Sequence, residues 1–359
     1  MTHPRKRRAL SGASETMLIL AIESSCDETS VAIVEDGRKI LANVVASSAQ
    51  MHNKTGGVIP EVAAREQLEC MIPVLNEAMK QCNNRTMKSI DAIAVTAGPG
   101  LIGSLLVGVE TAKTLSFMYK KPLIPVNHIL AHAYANWLDE KITPGFPAIY
   151  LVISGGHTEL FLIKGHDNWK WIGGTLDDAS GEAFDKTARL LGIGGYPGGP
   201  AIAAAAAQNQ KSKIKNQKYK ISLPRPMIGS KDFNFSFSGL KTAVIREINK
   251  LKAMKQWNNE IIIYLAYEIQ ESITDVLVKK TIESAKKYNV KSILLGGGVA
   301  ANERLRYKFS IFNARFSIHI PPPKLCTDNG AVTASMAYFQ HKSVPWREIS
   351  ARPDLSVEV

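Results

Sequence analysis

The arrangement of strands near residue 17 recurs near residue 148, and this recurrence constrains the fold more than any other feature. Each copy has an apolar strand, a polar turn and two further strands, which cover residues 17–22, 23–29, 30–34 and 39–45 in the first copy and 148–153, 154–158, 159–164 and 169–175 in the second. A continuous apolar run is typical of a strand that is buried on both faces. The sequence therefore predicts a diverged internal duplication, with two α/β subdomains that face each other across a cleft.

Two histidines four residues apart, His128 and His132, form a candidate metal site. Side chains four apart on a helix lie on one face, so both imidazoles can reach one ion, although a helix with two partly buried histidines has the same spacing. Asp328 supplies a candidate third ligand. Two histidines and a carboxylate leave coordination positions open for a substrate, as in iron(II) or catalytic zinc sites. Because Ile129 follows His128, this is not the H-E-x-x-H site of a metallopeptidase, and no general base accompanies it.

Two kinds of turn follow the predicted buried strands, and both suit a phosphate-bearing ligand. The first strand leads into an acidic turn with Asp27 and Glu28, although a hairpin with a solvated acidic turn fits these residues equally well. Glycine-rich turns precede helices at 97–104 and 296–302. Glycines between a strand and a helix let backbone N–H groups face an anion, although packing alone also selects glycine. In a duplicated fold, acidic and glycine turns would meet one ligand from opposite sides.

The charge balance indicates a polyanionic partner. The chain carries 44 Lys and Arg against 32 Asp and Glu, a net charge of +12, so nucleic acid is the first candidate unless the whole proteome is basic. Five lysines lie between Lys211 and Lys220, in a predicted solvated segment. The four cysteines form no C-x-x-C pair and fit a reducing cytoplasm. No apolar run approaches the ~20 residues of a membrane span.

Length and composition predict two domains with short ends. The 359 residues, 45% of them hydrophobic, suffice for two cores. We predict a first subdomain at 17–125, a second at 126–340 with the metal-binding helix and insertions, and a C-terminal tail at 341–359. Residues 1–16 are basic and lack the apolar centre of a secretory signal, so they predict a disordered arm, with a short organellar targeting segment as the alternative.

Ten short motifs follow one another along the core of the chain. They are IESSCDETS at 22–30, GGVIPEVAAR at 56–65, AGPGLIGSL at 97–105, VNHILAHAYAN at 126–136, VISGGHTEL at 152–160, DDASGEAFDKTARLLG at 177–192, YPGGP at 196–200, FSFSGLKTAV at 235–244, GGGVAAN at 296–302 and CTDNGAV at 326–332. In this order they resemble the universal transferases that form threonylcarbamoyladenosine in tRNA, in their bacterial TsaD form. That family belongs to the actin-like ATPase (ASKHA) superfamily. The resemblance runs from about residue 18 to residue 340.

The resemblance implies a reaction and a set of site residues. A threonylcarbamoyl group would pass from threonylcarbamoyl-AMP to N6 of the adenosine 3′ of the anticodon, in tRNAs reading codons that begin with A, with release of AMP. His128, His132 and Asp328 would hold one iron(II), with zinc as the alternative. The implied adenylate seat consists of Val152, Ile153, Ser154, Gly155, Gly156, Asp185, Gly199 and Asn302. Asp27 and Glu28 are the candidates for handling the amine proton or orienting the acceptor.

The resemblance also implies partners and shows two departures. Besides tRNA, the expected partners are a TsaB-like paralogue, which would bind the first half, and a TsaE-like ATPase, in the cytoplasm and away from membranes. Gln67 stands where the family commonly has a histidine, so we assign that position no role, and the loop before residue 196 carries one extra glycine. Cys26 lies beside two carboxylates, which predicts a raised thiol pKa and a poor nucleophile.

Two alternatives belong to other functional classes. A small-molecule kinase of the actin-like fold would need acidic residues in the second glycine turn to hold magnesium and ATP, where this chain has Ser154. A non-catalytic scaffold paralogue would be expected to lack one of His128, His132 and Asp328, and all three are present.

Overall fold

The computed structural model describes residues 16–48, 51–52, 57–82, 86–139, 143–212, 221–312 and 315–357. The basic arm predicted at 1–16 lies outside these residues except for its last position, and so does the lysine-rich segment from residue 213 onward. Across the described residues, no helix combines the length and the apolar character that a membrane crossing requires.

The first half is built on a five-stranded mixed sheet. Its strands are β1 (Leu18–Glu23), β2 (Glu28–Glu35), β3 (Lys39–Ser47), β4 (Ala92–Gly98) and β5 (Leu123–Asn127). Their order across the sheet is β3-β2-β1-β4-β5, and β1 runs antiparallel to β2 but parallel to β4. β1 and β4 are buried along their whole length because helices and the other half cover both faces, which explains their continuous apolar sequence.

The second half repeats this topology. Its strands are β6 (Ala148–Ile153), β7 (Thr158–Gly165), β8 (Asn168–Gly174), β9 (Ser292–Gly296) and β10 (Ser317–His319). The order is β10-β9-β6-β7-β8, with β6 antiparallel to β7 and parallel to β9. The first strand of each half therefore lies at the centre of its sheet, between an antiparallel hairpin and a parallel pair. This correspondence confirms the predicted duplication of two α/β subdomains.

Nine helices accompany the sheets within the described residues. They are α1 (Pro60–Gln81), α2 (Ile102–Tyr119), α3 (His128–Ala131), α4 (Ser180–Leu191), α5 (Gly198–Ser212), α6 (Ser238–Ala253), α7 (Asn259–Lys287), α8 (Glu303–Ser310) and α9 (Gly330–Gln340). α7 is buried along most of its length in the core of the second half, where it packs against α5 and α8. The helices predicted after the two glycine-rich turns are confirmed as α2 and α8.

The motif that starts at residue 177 does not begin with helical residues, because α4 begins three residues later. Asp177 accepts hydrogen bonds from the hydroxyls of Ser236 and Ser238, at 2.6 and 2.7 Å, and from the backbone N–H of Phe237 at 2.7 Å. Its carboxylate therefore lies at the start of α6, and these hydrogen bonds are made to residues there and not to α4. Acidic side chains at a helix N-terminus are favourable, so this contact holds residue 177 in the loop.

The last helix of the chain packs against the first sheet. At Gly330, the first residue of α9, an added Cβ would lie 2.8 Å from the Ala32 nitrogen and 3.0 Å from the Ala21 carbonyl oxygen. The Gly330 backbone N–H also donates to the Ser30 hydroxyl at 2.9 Å. Only glycine allows this close approach of the helix start to β1 and β2. The packing brings α9 and the residues just before it close to the end of β5.

Candidate metal and nucleotide site

The two histidines follow directly after β5. The Asn127 side chain accepts a hydrogen bond from the Leu130 backbone N–H at 3.2 Å and so caps α3, which is a single α turn. His128 opens that turn, and His132 begins the 3₁₀ turn that replaces the longer α-helix the sequence predicted. The spacing of four still brings the two rings together, with 4.8 Å between their centroids.

Asp328 reaches the histidines from the loop before α9. Asn329 caps α9 by accepting hydrogen bonds from two of its backbone N–H groups, at 3.1 and 3.3 Å, which fixes the residue just before it. Asp328 Oδ1 lies 3.1 Å from His132 Nε2 and 3.8 Å from His128 Nε2. The three candidate ligand atoms lie within 4.8 Å of one another. The structure therefore brings the three predicted metal ligands together.

The surroundings of these groups fit a metal cation. Both ring nitrogens of His132 are buried and make no hydrogen bond within the described residues, although Nε2 faces the Asp328 carboxylate. Buried polar atoms without a partner are costly, and a cation between the imidazoles and the carboxylate would give His132 Nε2 a partner. Two imidazole nitrogens and one carboxylate oxygen suit iron(II) or zinc, whereas calcium and magnesium prefer oxygen ligands alone.

A buried carboxylate lies behind His128. His128 Nδ1 is 3.1 Å from the Ser25 hydroxyl and 3.3 Å from Glu23 Oε2. Glu23 is 1% exposed, and it also accepts hydrogen bonds from the Ser25 backbone N–H at 2.7 Å and from the Thr96 hydroxyl. A carboxylate on the second nitrogen of a metal-binding histidine fixes the tautomer and the ring orientation. His128 thus has the support that a ligand requires.

The charges of the site reinforce one another. Burial alone would lower the pKa of His128, but the negative charges of Asp328 and Glu23 outweigh it and raise the pKa to about 9. Burial would raise the pKa of Asp328, whereas the charges of His128 and His132 hold it well below its usual range. At neutral pH the metal-free site therefore holds a protonated imidazole beside a carboxylate. Because a metal needs the neutral imidazole, its binding would release that proton.

One cavity of about 1190 Å³ connects two of the candidate metal ligands, His128 and Asp328, with the predicted ligand-binding turns. Both halves of the molecule contribute to its walls. The acidic turn and the residues just before α2 come from the first half, and the glycine turn after β6, α4, α5 and the start of α8 come from the second half. His128 follows β5, and Asp328 precedes α9, which packs against the first sheet. A cavity of this size is large enough for a nucleotide-sized ligand.

The acidic turn lines this cavity with Cys26, Asp27 and Glu28. Burial, followed by the negative charges of Asp328 and Asp27, raises the pKa of Glu28 to about 10, so Glu28 is protonated at neutral pH in the metal-free protein. Burial and the charge of Asp27 also raise the pKa of Cys26 far above its usual value. The predicted rise of the thiol pKa is thus confirmed, and the poor reactivity of the thiol stays a prediction.

The glycine turn after β6 presents open backbone to the same cavity. A Cβ added at Gly155 or Gly156 would meet no atom within 4 Å. The turn is closed by the Ser154 backbone N–H, which donates to the His157 carbonyl at 2.8 Å. At Gly181, in the first turn of α4, an added Cβ would lie 2.4 Å from the Ser154 carbonyl oxygen. The N-terminus of α4 therefore lies against the turn, an arrangement that suits a bound anion.

The remaining predicted seat residues divide into two groups. Asp185, Gly199 and Asn302 line the cavity, as Ser154, Gly155 and Gly156 do. Val152 and Ile153 do not line it, because both are fully buried in β6. Successive side chains of a strand point to opposite faces of its sheet, and both faces of β6 are covered. The role of these residues in binding an adenylate stays a prediction.

Three residues near the site were missed by the sequence analysis. Glu23 and Ser25 contact His128, and Tyr196 lines the cavity, where burial and the charge of Asp27 raise the pKa of its phenol. A carboxylate at the end of an otherwise apolar buried strand was a signal for Glu23. Tyr196 lies in the YPGGP motif, whose sequence alone did not indicate which side chain faces the ligand.

The fold and the site together define a class: an actin-like α/β protein whose central cavity carries a candidate histidine–histidine–aspartate metal site. The family model TsaD, described as tRNA N6-adenosine threonylcarbamoyltransferase, matches residues 39–335. The chain belongs to this family, and it is a tRNA-modifying transferase.

Known relatives agree over nearly the whole length. A protein of Persephonella marina named tRNA N6-adenosine threonylcarbamoyltransferase is 49% identical over 331 residues, which cover 91% of each chain. A protein of the same name from Thermomicrobium roseum is 45% identical over 363 residues, with 95% of each chain covered. Among solved structures, HypF of T. kodakarensis covers 90% of this chain and 47% of its own at a TM-score of 0.54 and 15% identity, which shows a likeness of fold alone.

Removal of one ligand tests the metal site. His132→Ala should abolish both the bound metal and the transfer activity, because two ligands cannot hold the ion against solvent. The same loss is expected for His128→Ala and Asp328→Ala. His157→Ala, which alters a cavity residue outside the three ligands, should keep its metal. Elemental analysis that finds stoichiometric metal in His132→Ala would contradict the site.

The raised pKa of Glu28 makes a prediction about stability. The pKa rises from 4.5 in the unfolded chain to about 10 in the folded protein, so the unfolded chain loses this proton first as the pH rises. The metal-free protein should therefore become less stable between these two values. Glutamine does not ionise, so Glu28→Gln should not show this loss. Its free energy of unfolding relative to that of wild type should therefore rise by at least about 1 kcal/mol between pH 5 and pH 8.

Denaturant unfolding at the two pH values measures this difference. Glu61→Gln, which changes an exposed carboxylate on α1 in the same way, should track wild type at both. An advantage of Glu28→Gln that does not change with pH would show that Glu28 ionises normally in the folded protein.

Proposed function

We propose that this transferase moves a threonylcarbamoyl group from threonylcarbamoyl-AMP to N6 of the adenosine 3′ of the anticodon, in tRNAs reading codons that begin with A. The observation that carries the proposal is the single cavity shared by the metal ligands and the glycine turn with its helix N-terminus. A donor with an adenylate at one end and a reactive carbamoyl group at the other needs both features within its own length. The cytoplasm, where tRNA is modified, is the proposed compartment.

The adenylate of the donor would occupy the second half of the cavity. The open backbone at Gly155 and Gly156 offers N–H donors to its phosphate, and the N-terminus of α4 adds the positive end of its helix dipole. Asp185, whose Oδ1 already accepts a hydrogen bond from the Gly198 backbone N–H at 2.6 Å, can also accept from the ribose hydroxyls. Three alanines of α5, together with Val299, provide an apolar wall for the base; these alanines are Ala203, Ala204 and Ala207.

His128, His132 and Asp328 would hold the metal, which we propose to be iron(II), with zinc as the alternative. When bound, the ion supplies a Lewis acid that polarises an oxygen of the donor. Glu23 and Ser25 orient the His128 ring from behind, so the ligands are fixed before the donor arrives. The three ligands come from segments packed on the first sheet, and the adenylate seat comes from the second half.

The acidic turn would manage the proton of the acceptor amine. The new bond joins N6 to the carbamoyl carbon, the bond from that carbon to the phosphate oxygen breaks, and AMP leaves with the electron pair. The amine must lose one proton in this exchange. Glu28, which is protonated at neutral pH in the metal-free protein, can donate a hydrogen bond to the acceptor, and we propose Asp27 beside it as the proton acceptor.

The tRNA must be held largely by residues outside the cavity. Carboxylates inside the cavity would repel a polyanion, and affinity for nucleic acid comes mainly from Lys and Arg contacts with phosphates. The lysine-rich segment up to Lys220 supplies the densest positive charge in the sequence, followed by the arm at residues 5–8. Both lie outside the described residues except at Lys211, so their contribution rests on the sequence alone.

An apolar surface on the first half supports a protein partner. It consists of exposed side chains on α1 and α2, namely Leu68 (64%), Ile72 (56%), Ile102 (50%), Leu106 (45%) and Phe117 (62%). The two helices touch at Gly103, where an added Cβ would lie 3.0 Å from that of Ala64, so these residues share one face. Large exposed apolar patches mark interaction sites. We propose that the TsaB-like paralogue binds this face and that the TsaE-like ATPase joins the complex.

Mass spectrometry of tRNA nucleosides tests the proposed reaction. Purified chain, threonylcarbamoyl-AMP and an unmodified tRNA should yield one threonylcarbamoyladenosine per AMP released, and a tRNA with guanosine 3′ of the anticodon should yield none. The isolated chain should react weakly or only once, because its partners are missing. AMP release without modified nucleoside, or a modification at another position, would refute the proposal.

A pair of matched variants tests the partner surface. Ile72→Glu places a charge in the apolar face and should weaken binding of the TsaB-like paralogue by at least about tenfold, measured by calorimetry. Ile311→Glu changes an isoleucine of similar exposure (60%) just after α8 and should bind like wild type. Equal affinity of the two variants would place the partner elsewhere.

A further inference from the structure

Hydrogen bonds from neighbouring segments hold the backbone of the acidic turn at each of its carbonyl oxygens. Each carbonyl oxygen from residue 24 to residue 28 accepts a hydrogen bond from a group outside the turn. The donors are the Gln67 amide for Ser24, Cys26 and Glu28, the Leu101 backbone N–H for Ser25, the Ser104 hydroxyl for Cys26, and the backbone N–H and hydroxyl of Ser48 for Asp27. The positions of the Asp27 and Glu28 side chains therefore depend on groups that do not themselves reach the ligand.

Gln67 has a special place among these donors, because it holds the turn on both sides of Asp27. Its Nε2 lies 3.0 Å from the carbonyl oxygen of Cys26 and 3.0 Å from that of Glu28. A third carbonyl, of Ser24, lies at 3.4 Å. The side chain comes from α1 and is 1% exposed, beneath the turn. One amide group thus ties the end of the turn to the start of β2.

The chemistry of the pocket around Gln67 fixes the orientation of its amide. An NH₂ group has two hydrogens to donate, whereas the amide oxygen can only accept and would be repelled by the carbonyl oxygens. The Gln67 Oε1 is buried and makes no hydrogen bond to any described residue. The side chain leaves one acceptor unsatisfied in order to donate twice. Position 67 therefore has a role after all, contrary to the expectation from the sequence.

We propose that Gln67 is a positioning residue that sets the distance of Asp27 and Glu28 from the metal ligands by clamping the carbonyls on either side of Asp27. The effect of Gln67 on catalysis, which we call the catalytic link, rests on the proposed roles of these two carboxyl groups. The effect of Gln67 on the geometry of the turn follows from the hydrogen bonds alone. The two effects can be tested separately.

Three variants of Gln67 distinguish the effect of hydrogen-bond donation by the side chain from the effect of its size and shape. Gln67→Glu keeps the shape but puts oxygen where the turn needs donors, and Gln67→Ala removes the group. Gln67→His keeps one ring N–H and can serve one carbonyl at a time. Gln81→Glu, the same substitution at the exposed end of α1, is the matched control. We expect the turn to be loosest in the first two variants, intermediate in the third and unchanged in the control.

Single-turnover transfer at saturating donor and tRNA measures the catalytic link, at a temperature where every variant is folded. Displacement of reacting groups by about 1 Å can cost about a hundredfold in rate, so Gln67→Glu and Gln67→Ala should transfer at least about tenfold more slowly. Metal content and the Kd for AMP should stay within about twofold, since no ligand of either is touched. Gln67→His should recover part of the rate. A rate within about twofold of wild type in Gln67→Glu would overturn the catalytic link.

Alkylation of Cys26 measures the geometry of the turn without any transfer reaction. Cys26 lies within the clamped segment, and half-buried Cys70, three residues after Gln67 on α1, serves as the internal control. Peptide mass spectrometry with iodoacetamide should show Cys26 labelled at least about fivefold faster in Gln67→Glu and Gln67→Ala, with Cys70 unchanged. Unchanged Cys26 labelling would overturn the clamp itself. Faster labelling with a normal rate would instead overturn only the roles proposed for Asp27 and Glu28.

Discussion

The buried carboxylate of Glu23 is the interaction on which the rest of the site depends. It lies at the end of β1 and contacts Thr96 on β4, His128 after β5 and Thr333 on α9, as well as the start of the acidic turn. A charge in the interior is tolerated only when it is paired and hydrogen-bonded, so these segments must meet at one point. Glu23 thereby connects the packing of β1, β4 and α9 to the orientation of His128, a candidate metal ligand.

The duplication then supplies a second, complementary half. In each half the central strand runs into a turn that faces the cavity, and divergence has given the two turns opposite chemistry. The first is acidic, with its carbonyls held from behind, and the second is a glycine turn beside the N-terminus of α4. Under the proposed function, one wall would handle a proton and hold a metal while the other would receive an anion. A phosphate-activated acyl donor would need both walls, which fits the position of the cavity between the halves.

Much of the fold and part of the candidate site could be predicted from the sequence, for reasons that differ between residues. The strands were predictable because their apolar runs are continuous, and spacing and residue type indicated the three candidate metal ligands that the structure brings together. Val152 and Ile153 were grouped with the glycine turn, but the alternation of a strand buries their side chains. Gln67 and Glu23 act through carbonyls and a ring nitrogen contributed by distant segments. Such contacts depend on tertiary packing, so the sequence can mark Glu23 as unusual at the end of an apolar strand but cannot indicate which groups either residue contacts.

The central claim is that one cavity holds the metal and the adenylate at the same time. Anomalous diffraction at the iron edge, from crystals grown without oxygen in the presence of AMP, tests it most directly. The account predicts one anomalous peak about 2.0–2.3 Å from ligand atoms of His128, His132 and Asp328, with AMP against the glycine turn of the same cavity. A metal bound elsewhere, or AMP bound outside this cavity, would contradict it.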